Sequence, residues 1–199
     1  MAFISNGTTI LDAGAFNVNL GSMVLLSEQT ASSSANISFT SGIDSTYPIY
    51  KFEFYDIHPS AANDYLEVGF RDGGTNYDAV KTTTAFDPYH NESDSGAGLG
   101  YDTDADLSQS TANQKLVRDL GNDNDQNAVG YLHLFNPAST TFVKHFIASV
   151  QHTQEADYSI NYFTAGYGNT TSAIDGVRFQ MSSGNIDSGK IKLYGIKDS

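Results

Sequence analysis

The chain has 199 residues, no cysteine and a net charge of −13, with ten Lys and Arg against 23 Asp and Glu. Lack of cysteine excludes disulfides and thiolate metal sites. The acidity argues against nucleic acid, which needs a basic face to displace counterions, and against anionic membranes.

Hydrophobic residues make up 39% of the chain and aromatics 12%. That is enough for a core, and the length suits one sandwich or barrel domain of roughly 200–250 residues. No apolar run is long enough to insert in a membrane as a helix. The opening Met1-Ala2-Phe3-Ile4-Ser5-Asn6 lacks the basic and apolar segments of a secretory leader and reads as a cytoplasmic start.

Residues 1–21 are rich in Gly, Asn, Thr and Ala. They read as an arm that orders against a partner, or as a first strand. Residues 22–199 read as a single β-sandwich domain. Met23-Val24-Leu25-Leu26 predicts a buried strand, followed by a Ser-rich turn over 30–35. Ile37 and Phe39 alternate inward. Ile49 to Ile57 is a long strand with Tyr50, Phe52 and Phe54 facing the core. Tyr65 to Arg71 alternates again, with Leu66, Val68 and Phe70 on one side. Tyr77 to Thr84 is a further strand. Residues 87–106 read as a long polar loop, a feature that in compact domains is functional or packed on a neighbour. Residues 107–120 fit a short helix or a strand, and the strand is preferred.

The densest β signal lies at 130–150. Tyr131 to Phe135 and Phe142 to Ile147 are rich in aromatic and β-branched residues around a break at Asn136-Pro137. This is a hairpin. Side chains alternate across a strand, so Leu132 and Leu134 oppose Tyr131, His133 and Phe135, and Phe146 opposes His145 and Ile147. Both faces are largely apolar, which places the hairpin in the middle of a packed β structure. Tyr158 to Tyr167, Ile174 to Met181 and Lys190 to Ile196 complete about ten strands. The expected fold is all-β, a two-sheet antiparallel β-sandwich, jelly-roll-like. Leu132, Leu134, Phe52, Phe54, Phe146 and Phe179 are its expected core.

Asp102-Thr103-Asp104-Ala105-Asp106 has the alternating acids of a calcium loop. The pattern then breaks: Leu107 stands where a glycine belongs, and Asn113 where a bidentate glutamate belongs. Asp102, Asp104 and Asp106 are the residues that would hold Ca2+, and a solvated acidic loop without cofactor is the preferred reading. His133 and His145 share the central hairpin but have no carboxylate or nucleophile beside them, so packed core histidines are expected. No catalytic motif is present. Tyr65, Tyr77, Tyr89, Tyr101, Tyr162 and Tyr167 lie outside or beside the strongest core patterns. They are candidates to stack on a glycan or to anchor a protein partner.

Several stretches carry a resemblance. They are Met1-Ala2-Phe3-Ile4-Ser5-Asn6-Gly7, Ser38-Phe39-Thr40-Ser41-Gly42-Ile43-Asp44, Tyr131-Leu132-His133-Leu134-Phe135-Asn136-Pro137, Ala165-Gly166-Tyr167-Gly168-Asn169, and Ser182 to Lys197. Together they resemble a family of small structural proteins of marine bacteriophages. The resemblance implies a virion component, made in the host cytoplasm. It would be a tail, fibre or capsid-decorating subunit, partnered by itself and by other virion proteins. It carries no catalytic residue. A homotrimer is expected, because virion parts are used in symmetric copies. The alternative is a carbohydrate-binding module for host-surface glycans. A glycan-cleaving enzyme is a third reading, because its paired carboxylates are recognised by their separation in space.

The broken calcium pattern generates a prediction. Thermal melts with and without a chelator should superimpose. A bound native-state ligand raises stability, so a drop in Tm on chelation would show a bound cation.

Overall fold

In the computed structural model, residues 2–12, 15–16 and 22–198 are described. They form fifteen strands, and no helix occurs among them. β1 (Phe3–Ser5), β2 (Thr8–Asp12) and β3 (Ala15–Phe16) make a small antiparallel sheet of their own. The segment 1–21, expected as an arm or a first strand, thus falls partly on these strands and partly outside the described residues.

The rest is a sandwich. The strands β4 (Met23–Ser34), β5 (Ile37–Phe39), β6 (Ile49–Pro59), β7 (Leu66–Arg71), β8 (Lys81–Asn91), β9 (Ala97–Tyr101), β10 (Gln114–Lys115), β11 (Ala128–Phe135), β12 (Lys144–Gln154), β13 (Tyr158–Gly168), β14 (Gly176–Met181) and β15 (Ile186–Ile196) divide between two antiparallel sheets. The larger runs β4-β15-β6-β11-β12-β13-β8-β9 and the smaller β10-β7-β14-β5. With β8, β9, β12 and β13 set aside, the remaining eight strands have jelly-roll connectivity. In chain order they fall on the two sheets as one, two, one, two, two, one, two, one. The four extra strands widen the larger sheet on one side.

The core follows from alternation. Phe52, Phe54, Leu132, Leu134, Phe146 and Phe179 are each no more than 2% exposed, as the sequence predicts. Phe179 on β14 is the hub: its ring meets Phe52 and Phe54 edge-on at 5.2 Å and Phe39 at 6.4 Å. Edge-to-face pairs of this kind add to the stabilisation from burial alone.

Five expectations change. The stretch 87–106 is not a loop throughout: Asp87–Asn91 continues β8 and 97–101 is β9. Asp87 and Asn91 point inward and are buried, so a polar sequence hides an ordinary strand period. Residues 30–34 continue β4 rather than turning. β4 is an edge strand, and its Met23 and Leu25 are about half exposed rather than buried. The segment 107–120 is neither helix nor long strand. Only Gln114–Lys115 pairs as a strand, while Leu116, Val117 and Leu120 are buried from irregular backbone. The central hairpin does lie mid-sheet, but just one of its faces is covered. Ile147 remains 49% exposed and Tyr131 38%.

Phe179→Ala should cost about 3–5 kcal/mol in chemical unfolding, because it leaves a cavity at the junction of three rings. A loss below about 1 kcal/mol would contradict its place as the hub.

Candidate functional site

The outer face of the larger sheet is built by cross-strand registration. One row runs Tyr101, Phe86, Phe163, Ser149, Tyr131, Glu53, Lys192 and Glu28. The next runs Thr84, Ala165, Ile147, His133, Lys51, Tyr194 and Leu25. Outward positions that would be polar on a one-sided sheet are here aromatic or aliphatic at about half of the places in these two rows. Phe86, Leu99, Tyr101, Val129, Tyr131, Ile147 and Leu25 are all more than a third exposed.

The rings on this face are already engaged with their neighbours. Phe86 and Phe163 stack on each other, with centroids 5.0 Å apart and an 11° interplanar angle. Tyr131 lies 5.0 Å from His133, and the Lys51 ammonium is 5.5 Å from its centroid. Lys192 sits 4.9 Å over the Tyr55 ring. Charges are matched locally: Lys51 pairs with Glu53 at 2.6 Å, and Lys190 with Glu28 at 2.8 Å. Against the pull of desolvation, Lys51 and the donating Tyr55 hydroxyl hold Glu53 below the usual carboxylate range. Desolvation, reinforced by Lys51, pushes His133 down.

The six candidate tyrosines do not converge. Tyr101 and Tyr167 lie on this outer face, Tyr167 beside His145 at 5.9 Å. Tyr65 lies on the other sheet, with the Lys115 ammonium 4.1 Å above its ring, and Tyr77 lies beneath Arg178 at 4.7 Å. Tyr89 packs against Tyr158 at 5.9 Å. Tyr162 is fully buried: it alternates in phase with buried Ile160, a signal present in the sequence. Its hydroxyl donates to Asp102 Oδ2 at 2.6 Å, and desolvation followed by this bond pushes its pKa well up.

The acidic loop is spent on itself. Asp102 Oδ1 accepts the Asp104 amide at 2.9 Å, and Asp106 accepts the Tyr101 hydroxyl at 2.9 Å. Among the described residues no group of three acids or histidines is placed to hold a metal ion.

Beneath that loop is a polar cluster that the sequence did not reveal. Asp87 is buried, meets Arg118 at 3.3 Å, and is pushed up by desolvation. Thr83 donates to Gln114 at 2.6 Å, and Gln114 donates to the Ala105 carbonyl at 2.9 Å. His152, rather than His133 or His145, is the packed histidine; His145 is exposed. His152 Nε2 lies 2.7 Å from the Arg118 carbonyl oxygen, which can only accept, so Nε2 carries the proton. These bonds tie the 102–120 segment over β8, β12 and β13.

No protein-family model, no curated protein and no solved structure matches this chain.

Burial pushes His152 down to about 4 from its ordinary 6.5. The unfolded chain therefore takes up this proton at a higher pH than the fold does. The stability tied to neutral His152 is full above pH 6.5 and is lost as pH falls towards 4. The loss should reach roughly 2–4 kcal/mol. Chemical unfolding of His152→Gln between pH 7 and 4 should show a flatter dependence than the parent. An equal slope in both would remove His152 as the cause.

Proposed function

We propose that this chain is a non-enzymatic structural subunit of a phage particle, which pairs with a second copy of itself through the outer face of its larger sheet. The particle assignment rests on the sequence resemblance. The pairing rests on one observation, an outer face carrying exposed aromatic and aliphatic side chains that no other described residue covers.

Area and charge favour a second copy as the occupant. Eight strands spaced at ~4.8 Å, each about six residues deep, offer roughly 700 Å2. A stable interface needs about 800 Å2 per partner, so the face is of the right size. The chain as a whole is strongly acidic, and two copies repel over most approaches. The central rows of this face are the exception. They hold Lys51, Lys190 and Lys192 against Glu28 and Glu53, already paired within the face. Two such faces meet without adding repulsion at the contact. A face packed on its own image gives a two-fold pair, whereas a trimer needs a heterologous contact. Glycan stacking on this face has less support, since Phe86 and Phe163 spend ring faces on each other.

Sedimentation at low and high salt tests the reading. Mass should rise with salt, because screening removes repulsion between acidic copies. The double substitution Phe86→Asp and Ile147→Asp should weaken association about thirtyfold or more while leaving the fold intact. A parent chain that stays monomeric at micromolar concentration in both salts would overturn self-pairing, and a mass of three would replace the two-fold pair.

A further inference from the structure

The outer face of the smaller sheet has the opposite chemistry. A row across it runs Ser38, Arg178 and Gly69. A methyl group at Gly69 would lie 2.7 Å from Asn113 Oδ1 and 2.9 Å from the Tyr77 carbonyl oxygen. A residue without Cβ lets both segments close over the sheet beside Arg178. Together they wall a recess of about 370 Å3 lined by Thr75, Asn76, Tyr77, Asp78, Asn113 and Arg178.

Arg178 is the unusual member. Its guanidinium lies over the Tyr77 ring at 4.7 Å, yet it makes no hydrogen bond or ion pair with any described residue. Its Nε is shut off from water with no acceptor, as is the Nε of Arg118. The other two arginines are both paired, Arg71 with Asp175 at 2.7 Å and Arg118 with Asp87 at 3.3 Å. A chain with 23 acids thus leaves one partly buried arginine without a carboxylate. The enclosed Nε is closed to a ligand as it is to water, so the two solvent-facing Nη groups, which have no acceptor among the described residues, are the donors that an acceptor from elsewhere can reach.

We propose that this recess binds a carboxylated sugar residue of the hexuronate class, its carboxylate taken by the Arg178 guanidinium. The planar fork of arginine matches a carboxylate with two parallel hydrogen bonds. Stacking on Tyr77 holds the guanidinium in place before the ligand arrives, which lowers the ordering cost of binding. Asn76, Asn113 and Thr75 supply donors and acceptors suited to sugar hydroxyls. Asp78 accepts from a hydroxyl and repels a doubly charged phosphate, so a singly charged carboxylate with hydroxyls fits better than phosphate. The recess lies on the sheet opposite to the apolar face, and this inference does not depend on self-pairing.

The test is an amide NMR titration of the full chain at constant ionic strength, with oligogalacturonate, a neutral galactose oligomer and inorganic phosphate as separate probes. Oligogalacturonate should produce saturable shifts at Gly69, Asn76, Asn113 and the Arg178 Nε–H. Arg178→Gln should weaken binding about tenfold or more. Arg178→Lys should not restore it, because an ammonium lacks the fork. The absence of saturable shifts with millimolar oligogalacturonate would overturn the proposal. So would equal shifts with phosphate or the neutral oligomer, or parent-like binding by a folded Arg178→Gln chain. If that variant fails to fold, the titration of the parent chain decides alone.

Discussion

Four strands cannot cover eight. At ~4.8 Å per strand the smaller sheet is about half as wide as the larger, and much of the rest of the structure answers that mismatch. Where the sheets overlap, the core is apolar and aromatic and is organised around Phe179. Where β13, β8 and β9 extend beyond, irregular backbone from 102–120 covers the inner face instead. Such backbone brings unpaired polar groups with it, and they must be satisfied in place. Hence Thr83 and His152 are buried beneath this segment and hydrogen-bonded to it, and Asp87 is ion-paired to its Arg118, beside only a small apolar cluster at Ala85, Ala105, Ile160 and Tyr162.

The same extension creates the broad outer face. An ordinary eight-stranded jelly roll presents two narrow outer surfaces. Here the added strands place Phe86, Phe163, Ile147 and Tyr131 side by side on the outside. Each ring takes up part of its neighbour, and each lysine on the face has an acid partner. The result is apolar and nearly neutral in a chain that is otherwise acidic. The smaller sheet carries an opposite surface, with Lys115, Glu67, Arg178 and Arg71 on outward positions. The two faces are suited to different partners, and a sandwich keeps them a full two layers apart.

The inner face was legible because a strand has a period of two, and that period depends only on local geometry. Phe52, Phe54, Leu132, Leu134, Phe146 and Phe179 are buried as their alternation requires. Tyr162 was equally legible from its phase with Ile160. The strand at 87–91 was not, because its inward residues are polar: Asp87 is offset by Arg118 from the distant 102–120 segment, and Asn91 accepts from the Ser95 and Gly96 amides of the turn that follows it.

The sequence by itself determined the all-β class, the two-sheet sandwich and most of the core, since these follow from alternation and turn residues. Tertiary structure alone decided which apolar faces are covered. That depends on the relative width of two sheets, and no single strand encodes it. It also decided that Arg178 is left without a hydrogen-bond or ion-pair partner among the described residues. Gly69 and Arg178 meet through strand pairing across more than a hundred residues, and the empty space at a glycine acquires meaning only from what is folded against it.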